Sequence, residues 1–101
     1  MNTVLETNVY SNWIDNLRDK HAQIRIAARI RRLSVGNPGD CRHLGSSVVE
    51  LRIDYGPGYR VYYTEIGGCT IILLAGGDKT SQNRDIEKAK RLAEQVRSEG
   101  I

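Results

Sequence analysis

The chain has 101 residues, 40% of them hydrophobic and 27% charged, which limits it to one domain, residues 1–101, around a single modest core. Its net charge of +3 favours an anionic partner but falls far short of a polycationic tail, so the placement of the cations matters more than their sum. Cys41 and Cys69 form neither a disulfide framework nor a metal-ligand spacing, residues 1–10 lack a signal-like pattern, and no segment reaches membrane-spanning length; a cytoplasmic protein with reduced thiols, no metal and no cofactor is expected.

Along the chain, Val4-Leu5 reads as a short strand. Ser11 is placed as the N-cap of a first helix carrying Trp13, Ile14 and Leu17 on one side. A second helix is predicted from about His21 to Leu33, where Ile26, Ile30 and Leu33 recur at helical spacing. Arg25, Arg29 and Arg32 have that spacing displaced by one position and form a basic stripe beside the apolar one. The breakers of VGNPGD end the helix. From Val48 to Asp54 the period falls to two: Val49, Leu51 and Ile53 face one way, Glu50 and Arg52 the other. After Tyr55-Gly56-Pro57-Gly58 the chain returns with Tyr59, Val61 and Tyr63 on one face and Arg60, Tyr62 and Thr64 on the other, a hairpin signal. CTIILLAGG, Cys69 to Gly77, is apolar on both faces and reads as a buried strand. Ile86, Ala89, Leu92, Ala93 and Val96 make one side of a closing helix.

The hairpin brings Arg52 and Arg60 to one face, with Glu50 as a partial counter-charge, and Lys79 follows the last strand. Arg52, Arg60 and Lys79 together suit a phosphodiester, because guanidinium and ammonium groups donate charge-assisted hydrogen bonds to phosphoryl oxygens. Metal-free RNA cleavage further requires a base for the 2′-hydroxyl and an acid for the departing 5′-oxygen. His43, Tyr55, Tyr62 and Glu50 are the residues considered for proton transfer, Tyr62 on the condition that nearby arginines lower its pKa. Tyr55 is also suited to stacking on a base.

WIDNLRD, RIAARIRRL, GNPGD, ELRIDYGPGYRVYY and LLAGGDK, in that order, resemble the RelE/ParE toxin superfamily and, more narrowly, HigB-like addiction-module killer proteins. The resemblance covers about Trp13 to Ala93. It implies an α+β, RelE-like fold: a small antiparallel sheet with two N-terminal helices and a C-terminal helix on one face and a basic concave surface on the other. It implies the toxin of a bacterial type II toxin-antitoxin pair, acting as a ribosome-dependent messenger RNA endonuclease. The partners implied are a co-encoded antitoxin, often a helix-turn-helix protein, the ribosome and its messenger RNA, with operator DNA reached only through the antitoxin. Gyrase inhibition in the manner of ParE, and a non-catalytic RNA-binding module or decayed toxin, remain open as alternatives.

Residue by residue, Gly58-Tyr59-Arg60 matches the Gly-Tyr-Arg of RelE-like nucleases, whose arginine contacts the scissile phosphate, and Arg52 and Lys79 fall where those enzymes place further cations. With Tyr62 and His43 added from the proton-transfer chemistry, the catalytic set expected is Arg60, Arg52, Lys79, Tyr62 and His43; the RNA-binding set is Arg25, Arg29, Arg32, Arg42 and Tyr55. The C-terminal tyrosine of RelE-like nucleases has no counterpart in TSQNRDIEKAK.

Overall fold

One strand, Thr70–Gly77, is apolar on both faces, and the rest of the molecule is arranged around it. The computed structural model describes residues 2–100. In chain order they form β1 (Thr3–Glu6), α1 (Asn8–Asp15), α2 (Lys20–Ser34), β2 (Cys41–Gly45), β3 (Val48–Ile53), β4 (Tyr59–Ile66), β5 (Thr70–Gly77), a 3-10 turn at Lys79–Ser81 and α3 (Gln82–Glu99). The five strands make one sheet in the order β1-β5-β4-β3-β2. It is mixed, not antiparallel as expected: β1 runs parallel to β5, while the other pairs are antiparallel.

The helices also divide differently from the expectation. Ala22, Ile26 and Leu33 of α2, with Tyr10 of α1, pack against Leu51, Ile53, Val61, Ile71 and Leu73 on one face of the sheet. Ala89, Ala93 and Val96 of α3 pack against Val48, Tyr62, Ile72 and Leu74 on the other. A helix on each face explains why β5 has no polar face to show to water. Between Tyr62 and Tyr63 the β4–β5 register shifts, leaving Leu74 as the extra residue, so Leu74 and Ala75 both contribute to the α3 side. The predicted concave basic surface is therefore reduced to the part of that face lying beyond the start of α3.

Local chemistry sets the element ends. Thr7, rather than Ser11, caps α1: its Oγ1 accepts from the Tyr10 amide at 3.1 Å and donates to the Leu74 carbonyl at 2.7 Å, tying the helix to β5. Asp19 caps α2 by accepting from the Ala22 amide, which makes LRDK a true break. The CRHLG segment, not predicted as a strand, is edge strand β2. Gly76 is required by packing, since a Cβ there would stand 2.2 Å from the Trp13 ring.

Candidate functional site

The site begins with the register of the β3–β4 hairpin. Arg52 pairs directly with Arg60, and Glu50 with Tyr62, so all four side chains leave the sheet on the α3 face. Glu50 is fully buried, and its carboxylate is held from three directions. Oε1 accepts from Arg52 Nε at 3.1 Å, while Oε2 accepts from Tyr62 Oη at 3.2 Å and from Gln82 Nε2 at 2.9 Å. Burial by itself raises a carboxylate pKa; the hydrogen bonds from Gln82, Arg52 and Tyr62 and the Arg52 charge outweigh it and hold Glu50 below the usual range. Glu50 is thus an anchored anion that orients Arg52.

Arg60 has no such partner. Its side chain is only 7% exposed, its Nη1 donates to the carbonyls of Gly58 and Tyr59 at 3.1 and 3.3 Å, and its Nε is buried without a hydrogen-bond acceptor. Among the described residues the one ion pair is Arg52 with Glu50. A buried guanidinium with unused donor capacity and no carboxylate is electrostatically costly unless an external anion meets it.

Lys79 supplies the third cation. Asp78 and Ser81 close a capping box around the 3-10 turn, which fixes where Lys79 starts. Its aliphatic chain then passes over Gly58: a Cβ at that glycine, whose φ is +81°, would lie 3.2 Å from Lys79 Cγ and 3.4 Å from Arg60 Nη1. Gly58 thus lets both cations approach the turn. Arg52, Arg60, Lys79, Gly58, Asp40 and Asp54 all line one open pocket of about 400 Å³.

The other predicted site residues lie elsewhere. Tyr62 is fully buried under α3; burial together with the Glu50 charge and hydrogen bond raises its pKa well above that of a free phenol and outweighs the lowering by the Arg60 charge. His43 is exposed on β2 and pairs with Val49, which places it on the sheet face opposite Arg52 and Arg60. Arg42, its neighbour, pairs with Glu50 and is exposed at the sheet edge. Tyr55 turns toward α2, its Oη 3.5 Å from Asp19 Oδ1 and its ring 4.5 Å from the Arg25 guanidinium. Arg29 is no free member of a basic stripe: its guanidinium donates to the carbonyls of Arg52, Pro38 and Asp40, clamping the loop after α2 onto β3. Arg32 is exposed.

With this geometry in place, comparison with known proteins adds the family. The model of the phage-derived Gp49-like proteins matches residues 12–97, a span holding every residue of the pocket. The chain belongs to the Gp49-like family. A protein of Haemophilus influenzae, uncharacterized, is 44% identical over 90 residues, covering 89% of this chain and 91% of that protein. The Gp49-like family is associated with toxins of toxin-antitoxin pairs, which agrees with a toxin-like family without singling out the RelE or HigB-like branch.

Three residues of the site escaped the sequence reading. Gln82, on the first turn of α3, donates to Glu50 across 32 residues of chain, and no local pattern announces such a contact. Asp40 and Asp54 line the pocket from the ends of β2 and β3. The sequence held a signal for Asp54, which lies two residues beyond Arg52 at the end of the alternating run. No helix among the described residues is long and apolar enough to cross a membrane.

Proposed function

We propose that this protein is the toxin of a bacterial toxin-antitoxin pair and acts as a metal-independent endonuclease on ribosome-bound messenger RNA. The supporting observation is Arg60: a nearly buried guanidinium with an unpartnered Nε and no carboxylate partner among the described residues, on the wall of a pocket shared with Arg52 and Lys79. A phosphodiester supplies the missing negative charge, and its charge grows on the phosphoryl oxygens as cleavage proceeds, which is when three cations are most effective. The exposed mouth of the pocket suits a single strand presented by a larger assembly. In this reading a co-encoded antitoxin, a helix-turn-helix protein by the resemblance, restrains the toxin by covering or displacing the cations.

The test is expression without antitoxin, followed by mapping of messenger RNA 5′ ends and of gyrase-DNA complexes. New ends inside translated codons, with normal DNA supercoiling, are expected. Accumulated gyrase-DNA complexes without new RNA ends would instead establish the gyrase reading.

A further inference from the structure

Cleavage by attack of a 2′-hydroxyl needs a proton acceptor beside the phosphate, and the residues first considered for that role do not line the pocket. His43 leaves the sheet on the opposite face, Tyr62 is sealed under α3, and Tyr55 faces Asp19 and Arg25. Glu50 is buried with three donors already engaged. Beside the cations Arg52, Arg60 and Lys79, the pocket is lined by two side chains that carry a proton-accepting oxygen, the carboxylates of Asp40 and Asp54.

The two carboxylates differ in their surroundings. Asp40 lies in the loop clamped by Arg29, whose guanidinium binds the Asp40 carbonyl at 2.9 Å, and the Asp40 charge acts on that arginine. Asp54 is exposed, has no ion pair or side-chain hydrogen bond among the described residues, and opens the turn that leads through Gly58 to Arg60. The strand ends at Ile53, whose carbonyl accepts from the Tyr55 amide at 2.9 Å in a tight turn centred on Asp54, and that turn leaves Asp54 lining the pocket shared with Arg52 and Arg60. The same pocket is lined by Arg60, a buried guanidinium whose Nε has no acceptor and which has no ion pair among the described residues.

From this arrangement, and resting on the nuclease reading above, we infer that Asp54 is the general base of RNA cleavage. Its carboxylate takes the proton of the 2′-hydroxyl; the 2′-oxygen attacks phosphorus; the O2′–P bond forms as the P–O5′ bond breaks. The product strand ends in a 2′,3′-cyclic phosphate, and the 5′-oxygen takes a proton from water at the open mouth. Asp54 then returns its proton to water, so no oxidant, reductant or metal enters the balance. Arg52, Arg60 and Lys79 hold the phosphoryl oxygens while charge builds on them.

The experiment is single-turnover cleavage of ribosome-bound messenger RNA by wild type, Asp54→Asn, Asp54→Glu and Asp40→Asn, with equilibrium binding to the same complexes and melting temperatures measured alongside. General-base catalysis contributes roughly a hundred- to ten-thousandfold, so Asp54→Asn is expected to lose at least about a hundredfold in rate. Its RNA binding should be equal or tighter, because a negative charge has left a phosphate pocket. Asp54→Glu keeps the carboxylate and should recover part of the rate, and all variants should melt like wild type. Asp54→Asn cleaving within about threefold of wild type, or Asp40→Asn alone losing the rate, overturns the assignment while leaving the nuclease reading intact. A wild type that cuts no ribosome-bound RNA overturns both.

Discussion

Arg52 and Arg60 stand opposite one another across β3 and β4, yet among the described residues only Arg52 is paired with a carboxylate. Two guanidinium groups in a directly paired position repel. Glu50 offsets one of them from beneath the sheet surface, with Tyr62 and Gln82 holding its second oxygen. The other remains a nearly buried cation. That asymmetry separates a structural arginine from one available to a ligand.

Arg60→Ala tests this separation. Losing a donor to charge that develops in the transition state costs about 2.7 to 4 kcal/mol, roughly a hundred- to thousandfold in single-turnover cleavage. Arg60→Lys keeps the charge without the planar fork and should recover only part of the rate. Removing the buried guanidinium relieves its unpartnered Nε but gives up the Nη1 hydrogen bonds to the Gly58 and Tyr59 carbonyls, so the melting temperature should change little. A large fall in melting temperature would make Arg60 a structural residue.

Glu50→Gln should destabilise by about 2 to 3 kcal/mol at pH 7, because charge-assisted hydrogen bonds to a buried acceptor are weakened and one amide hydrogen now faces donors. The pH dependence has a definite sign. The folded-state pKa of Glu50 is depressed, so its contribution is fully present above the unfolded value of about 4.3 and is lost as pH falls through the lower folded value. Urea unfolding of both proteins from pH 7 to pH 3 should show the gap closing at the acid end. A gap independent of pH would mean that shape, not charge, is what Gln82 and Tyr62 recognise.

The basic residues of α2 should not behave as a set. Arg25→Glu and Arg32→Glu should change stability by less than about 1 kcal/mol, whereas Arg29→Glu should cost more than both together, since three carbonyls lose their donor and an unpaired carboxylate takes its place. Chemical denaturation of the three single variants checks this. Equal stabilities would show that the loop around Pro38 needs no clamp.

Gly58→Ala and Gly45→Ala impose the same backbone strain, with φ of +81° and +84°, about 1 to 2 kcal/mol for an L-residue. Only at Gly58 does the added methyl crowd Lys79 and Arg60; at Gly45 nothing lies within 4 Å. Gly58→Ala should therefore weaken RNA binding several-fold beyond its stability cost, and Gly45→Ala should not. Filter binding to a short oligoribonucleotide, beside thermal melts, distinguishes the two.

Much of this protein is written in local pattern. The period of two in Val48–Ile53 and Tyr59–Thr64 placed the hairpin and put Arg52, Arg60, Glu50 and Tyr62 on one face, because alternation in a strand is fixed by the pleat. The spacing of Ile26, Ile30 and Leu33 placed α2, and that of Ala89, Ala93 and Val96 placed α3. What lies over each face is a different matter, decided by contacts across tens of residues. The two-sided apolar pattern of Ile71–Ala75 already required cover on both sides, but only the packed structure puts α3 over Tyr62 and thereby removes it from solvent. The same docking brings Gln82 to Glu50, turns Arg29 from a surface cation into a loop clamp, and leaves Arg60 as the buried cation without a counter-ion. Periodicity determines which way a side chain points; its charge state and its freedom to meet a ligand depend on burial and partners, and these exist only once the helices have closed on the sheet.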